Sequence, residues 1–168
     1  IVTGLQIDIV ADVGAPTALV GWGMTFAASG LIPGPYRIPN TRVLLKAVVT
    51  NKTPWNAYRG FGKDIANLWL ERIMDDVARN TGLDRVEIRI MNSLRPSDFP
   101  FAREGGGIVD SGDYPRLLRR VSELIEYSSF EDRRRDARSS GHLIGIGVAL
   151  ELTPEGCAMP GSLMISGY

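Results

Sequence analysis

At Lys63 the hydrophobic pattern of the chain changes period, and that change limits the folds open to it. Before it, residues 5–13 alternate apolar side chains with Gln6, Asp8 and Asp12, the period of a half-buried strand. Residues 42–50, rich in Val and Leu, read as a second strand that stops at Asn51-Lys52-Thr53-Pro54. Residues 15–31 between them are rich in small side chains. A helix is open to them, although Gly21, Gly23 and Gly30 weaken it. Pro33-Gly34-Pro35 and Ile38-Pro39-Asn40 read as turns.

After Lys63, Ile65, Leu68, Trp69, Ile73, Val77 and Ala78 recur at helical spacing as far as Asn80, and Gly82 is a natural stop. Asp84 is placed to cap a helix over 85–92, with Val86, Ile90 and Met91 turned inward. Residues 96–112 form a loop containing Gly105 to Gly107. Asp113 caps a further helix, with Pro115 in its first turn, reaching about Tyr127. The charged stretch 130–138 continues it after a break, 142–152 reads as a strand, and 162–168 as the start of another. Strands at both ends flanking a central helical segment specify an α+β arrangement. Strands left in mid-course at both ends would expose unpaired edges, so the expectation is a fragment of a larger domain, able to self-associate into a homo-oligomer.

Composition excludes some partners. Lys plus Arg and Asp plus Glu both number 19 in 168 residues, so the net charge is zero. A phosphate backbone or an anionic membrane surface asks for a cationic face, and neither nucleic acid nor membrane is expected as a partner. Arg133-Arg134-Arg135 stands beside Glu131, Asp132 and Asp136 and reads as a solvated helix face. No apolar run reaches the roughly 18–20 residues of a membrane-spanning helix. The single cysteine, Cys157, allows neither an internal disulfide nor a thiolate metal site, and a cytoplasmic setting is the expectation.

The candidate site is Ala57-Tyr58-Arg59-Gly60-Phe61-Gly62, a turn between a strand and a long helix. Two glycines around a phenylalanine let the backbone approach a partner closely while one ring projects. The following helix offers N–H groups and Arg59 a forked cation, so an anion fits here. On spacing alone, a tight turn with Arg59 paired to a carboxylate and Phe61 in the core accounts for the same residues. The turn lacks the spacing of a phosphate-binding P-loop and the third glycine of a dinucleotide fingerprint.

The run 53–62 resembles the "AYRGFG" segment of the molybdenum hydroxylases, the xanthine dehydrogenase and aldehyde oxidase family, in the large molybdopterin-binding subunit. Arg89 to Pro96 is similar to that family's "RRKNLIRP" run, and Phe99-Pro100-Phe101 with Asp110 to Tyr114 to its "FPY…YDSGDY" continuation. Upstream, Val10 to Ala15 resembles "ADLGAY", and Tyr36 to Asn40 resembles "YxIPN". The matches keep their order over most of the chain. The resemblance implies a partial molybdopterin-binding region over 1–168, strand-rich in 1–55, mainly helical in 56–140, and strand-rich again from 141–168. It implies a parent that hydroxylates an aldehyde or aromatic N-heterocycle carbon with oxygen from water. The cofactor of that parent is molybdenum–molybdopterin. Iron–sulfur clusters and FAD on other domains or subunits carry the electrons away.

By the same resemblance Arg59, Gly60 and Gly62 face the cofactor and Phe61 stacks on a flat substrate. Carbon monoxide dehydrogenases carry a cysteine after "AYR", where this chain has Gly60, so carbon monoxide is not the expected substrate. No counterpart of a substrate arginine stands at Phe26-Ala27-Ala28-Ser29, which argues against xanthine. The family's catalytic glutamate and glutamine-bearing loops are not among these residues. No catalytic residue is therefore assigned, and the fragment alone is expected neither to hold the cofactor nor to turn over. Asp64 and Glu71 are the carboxylates near the turn, and Asp64 reads as a helix-dipole partner rather than a base. His142 and Cys157 read as incidental and Trp69 as core, while Trp55 is placed to line a substrate funnel. The alternative is a non-catalytic structural or assembly module of such an enzyme, with Arg59 bracing a subunit contact.

Overall fold

The computed structural model describes residues 1–15, 21–103 and 107–153. Cys157, Gly105, Gly106 and the strand expected at 162–168 lie outside them.

Two strands open the fold. β1 (Gly4–Gly14) and β2 (Asn40–Val49) run parallel, with Leu5 opposite Thr41 and Ala11 opposite Ala47. Parallel neighbours need a crossover, and α1 (Gly21–Leu31) lies in it, so the ambiguous segment is helical over 21–31. Its small residues suit the tight packing, since Ala27, Ala28 and Leu31 are all buried. The register slips between Asp12 and Gly14, so that Val13 is the extra residue of a bulge at the end of β1.

α2 (Lys63–Thr81) forms over the expected span, but its buried face is turned from the expected one. Ala66, Leu70, Met74 and Ala78 are buried at intervals of four, while Leu68 is exposed and Ile65, Trp69, Ile73 and Val77 are half-buried. It stops at Gly82, which takes the left-handed conformation. α3 (Arg85–Asn92) starts where Asp84 accepts hydrogen bonds from the N–H groups of Val86 at 2.7 Å and Glu87 at 3.1 Å. Its buried face is broader than the apolar pattern foretold: Ile88, Arg89 and Asn92 join Val86 and Ile90, while Met91 is half-buried at the edge of the core.

The loop 96–112 holds a single 3-10 turn, Pro96–Asp98, and a small hairpin of β3 (Phe101–Ala102) and β4 (Ile108–Val109). α4 (Tyr114–Leu124) is capped by Asp113, which accepts from the N–H of Arg116 at 3.0 Å. It ends before the expected Tyr127 because Glu126 turns to φ 51, giving a second 3-10 turn, Tyr127–Ser129, and then α5 (Phe130–Ser139). The charge run on α5 is a solvated face, with ion pairs Arg134–Glu131 and Arg135–Asp132 three residues apart. Arg133 lies 5.8 Å from the centroid of the Phe130 ring.

One element expectation is overturned. Residues 142–153 carry neither helix nor strand. A strand needs a neighbour to complete its ladder, and no described strand pairs with this segment, two of whose backbone groups bond to side chains instead. The Leu150 N–H donates to Glu71 Oε2 at 3.0 Å, and the Ile146 carbonyl accepts from Arg85 Nη1 at 3.5 Å. Mixed helix and strand hold as expected, with the strands among the described residues in two two-stranded sheets. No helix among the described residues is long and apolar enough to cross a membrane.

Candidate functional site

The turn expected to carry chemistry is built by three consecutive residues with positive φ: Gly60 at 106°, Phe61 at 50° and Gly62 at 84°. Only glycine takes such values without strain, so Phe61 is held there by its surroundings, as side chains at working sites commonly are. The Phe61 N–H donates to the Tyr58 carbonyl at 3.0 Å, and the Lys63 N–H to the Gly60 carbonyl at 2.9 Å. At Gly62 an added Cβ would lie 2.1 Å from the Met24 carbonyl oxygen, so this glycine lets α1 close against the start of α2. At Gly60 it would lie 2.8 Å from Asp64 Oδ1.

The turn opens on a cavity of about 320 Å³ lined by Trp55, Tyr58, Arg59, Phe61 and Asp64, with Met24 and Ile65 behind them. Arg59 is exposed and makes no hydrogen bond or ion pair among the described residues, so the carboxylate partner of a purely structural turn is not found there. Phe61 is half-buried on the cavity wall rather than sealed in the core. Asp64 is exposed in the first turn of α2, where its charge meets the positive end of the helix.

Glu71, the other carboxylate considered, is committed elsewhere. Its Oε2 accepts from Arg89 Nε at 2.7 Å and from the Leu150 N–H at 3.0 Å, and its Oε1 accepts from the Tyr36 hydroxyl at 2.5 Å. Arg89, fully buried, also donates to the carbonyls of Arg85 at 2.9 Å and Glu71 at 3.0 Å, and pairs with Asp75 at 2.9 Å. Burial, the largest single influence, opposes the charge on Arg89, but the Glu71 hydrogen bond and charge, with Tyr36 and Asp75, together outweigh it and hold the guanidinium above its ordinary range. Burial and the Glu71 charge push the Tyr36 hydroxyl far up, so it stays a donor. Glu71 is therefore a structural acceptor.

A second cluster went unread in the sequence. Asp12, at the bulge ending β1, accepts from the Thr50 hydroxyl at 2.6 Å and the Gly14 N–H at 3.1 Å, and pairs with Lys52 at 2.6 Å. The Lys52 hydrogen bond, then that of Thr50, lowers its carboxyl to about 2. The signal was an acidic residue two before a glycine at a strand end, a pattern that binds its own backbone. This staple ties the end of β1 to the segment leading into the turn. His142 is exposed after α5, its N–H donating to the Ala137 carbonyl at 2.8 Å. Among the described residues no three His, Cys, Asp or Glu side chains gather to hold a metal ion.

Residues 1–93 match the family model described as "Molybdopterin cofactor-binding domain". The chain is 35% identical to the carbon monoxide dehydrogenase large chain of Hydrogenophaga pseudoflava, over 88% of this chain and 19% of that protein. It is 29% identical to the nicotine 6-hydroxylase large subunit of Paenarthrobacter nicotinovorans, over 92% of this chain and 19% of that one. Its fold is similar to the crystal structure of quinoline 2-oxidoreductase from Pseudomonas putida 86, with a TM-score of 0.72 and 30% identity, covering 82% of this chain and 18% of the other. The chain thus spans about a fifth of the length of the curated relatives it matches. With more than half of its length inside the family model, the chain belongs to the molybdopterin cofactor-binding domain family.

Proposed function

We propose that this chain is the part of a molybdenum-dependent hydroxylase large subunit that brings the turn 57–62 against the cofactor, in an enzyme that oxidises an aromatic N-heterocycle or an aldehyde. The observation that carries this reading is Arg59, without an ion-pair partner among the described residues, beside Phe61 on the wall of the 320 Å³ cavity. The residues suit an anionic, oxygen-rich group. Arg59 supplies a forked cation, and the N–H groups of Gly60 and Gly62 donate to no backbone carbonyl among the described residues. In this reading Arg59, Gly60 and Gly62 hold the loop against the cofactor, Gly62 by fixing where it rests on α1. Phe61 aligns a flat substrate with little loss of freedom. When bound, the molybdopterin supplies the redox centre for oxidising the substrate carbon.

Two features support a substrate other than carbon monoxide. A cysteine at position 60 would have to adopt φ 106 with its Cβ against the Asp64 carboxylate. The apolar and aromatic lining suits a ring better than a diatomic gas. Among the relatives, the names of the nicotine and quinoline enzymes fit such a substrate, whereas that of the carbon monoxide dehydrogenase large chain does not.

The same reading takes 1–168 as one partial molybdopterin-binding region, with the remainder of the large subunit and iron–sulfur and FAD subunits or domains as partners, in the cytoplasm. A groove of about 750 Å³ between residues 6–10 of β1 and Leu68, Trp69, Arg72 and Ile73 of α2 supports a contact with more of the large subunit. The test is Arg59→Ala in the full-length enzyme. Loss of turnover with molybdenum content intact is expected. Retained turnover with weakened assembly would instead establish the structural-module reading.

A further inference from the structure

We propose that Trp55 is a specificity-determining wall of the substrate cavity, selecting flat heteroaromatic rings over small aliphatic aldehydes; the proposal rests on the turn being the substrate-facing loop. Trp55 lines the same cavity as Arg59 and Phe61, yet it comes from the extended segment before the turn rather than from the turn itself. It remains 39% exposed, a large apolar face left for a ligand to cover. Its backbone is fixed: the Trp55 N–H donates to the Val13 carbonyl at 3.1 Å, and the Ala15 N–H donates to the Lys52 carbonyl at 3.0 Å. Gly14 makes that docking possible, because a Cβ there would lie 2.4 Å from the Thr53 carbonyl oxygen. The Asp12 contacts to Thr50 and Lys52 pin the same segment from its other end.

An indole on a pinned backbone presents a rigid surface at little entropic cost, and a ring stacked on it gains area burial plus a stacking contribution. Small aliphatic aldehydes reach neither gain in full. With Met24, Tyr58, Phe61 and Ile65 completing an apolar lining, Arg59, Asn56 and Asp64 are left to meet a polar ring edge. A cavity of about 320 Å³ sits at the lower end of the range for small-molecule sites, which favours a compact ring system.

The test uses the full-length enzyme with quinoline and acetaldehyde as probes. Trp55→Ala is expected to raise the KM for quinoline roughly ten-fold with little change in kcat, and to raise the KM for acetaldehyde by less than about two-fold. Calorimetric binding of quinoline to the same enzyme prepared without molybdenum should weaken by a similar factor, and Trp55→Phe should restore most of the affinity. Unchanged quinoline binding in Trp55→Ala, equal losses for both probes, or no quinoline binding by the parent would each overturn the proposal. The underlying reading fails separately, through Arg59→Ala retaining turnover.

Discussion

Two arginines in this molecule do opposite things with the same side chain. Arg89 is completely buried and spends its donors on Glu71, Asp75 and the carbonyls of Arg85 and Glu71. Arg59 stands exposed on a cavity wall and pairs with nothing among the described residues. A guanidinium taken out of water must be fully matched by its own protein, whereas one kept at a cavity mouth is available for what binds there. The comparison separates the part of the fold that holds α2, α3 and the segment at Leu150 together from the part that faces a ligand.

The largest expected effect lies on the buried side. Arg89→Ala would strand the Glu71 carboxylate in the interior with only Tyr36 and the Leu150 N–H as donors. Removing one member of such a pair costs about 3–5 kcal/mol. Urea unfolding followed by circular dichroism measures it. A loss near that of an ordinary surface substitution would mean that the network contributes little and that the contrast with Arg59 is false.

Glycines in the turn provide a finer test. Gly62→Ala places a methyl group against the Met24 backbone and keeps φ at 84, so α1 and α2 must separate or the turn must change. A destabilisation of about 1–3 kcal/mol follows from backbone strain of this kind. Gly60→Ala meets the same φ penalty but only the Asp64 side chain, which can swing away. Its effect on unfolding should be the smaller of the two, and the reverse order would mean that the turn is held by Asp64 rather than by α1.

How far the sequence reveals all this depends on whether a residue's role is set locally. α2 and α3 were legible because helical period, Gly82 and the Asp84 cap all lie within a few residues of what they control. The turn was legible for a related reason, since Gly60 and Gly62 mark backbone that few residues can adopt. Residues 142–152 read as a strand and are not one, because an apolar pattern reports only which side chains turn inward. Whether a ladder partner exists is decided elsewhere, and here Glu71, Arg85 and Asn67 take the contacts. Arg89 falls outside the apolar pattern of α3 for the same reason. Its charge is tolerated only because Glu71 comes to meet it from 18 positions earlier in the chain.

The Asp12 staple gives a pH-dependent comparison between an anchored charge and a free one. Asp12 has its carboxyl lowered from 3.8 to about 2 by Lys52 and Thr50, so the folded form holds it ionised more tightly than the unfolded chain does. The stability this contributes is complete above about pH 4 and is lost as pH falls through about 2. Acid titration of unfolding should therefore show a component in that window that disappears in Asp12→Asn. The effect is small because Lys52 is largely exposed and water screens the pair. A window unchanged in Asp12→Asn would place the acid sensitivity on another carboxylate.

The smallest effect on stability belongs to Arg59. With no partner to lose among the described residues, Arg59→Ala should shift unfolding by no more than about 0.5 kcal/mol, the range of ordinary surface changes. That near-silence makes the residue informative, because a side chain that does nothing for the fold has its effect elsewhere or nowhere. Unfolding of Arg59→Ala alongside Arg89→Ala, with turnover of the full-length Arg59→Ala enzyme, places the two arginines on separate axes. Arg89 should move stability, and Arg59 should move turnover alone. A substantial loss of stability in Arg59→Ala would mean that its partner lies within the protein, and the turn would then be a brace rather than a site.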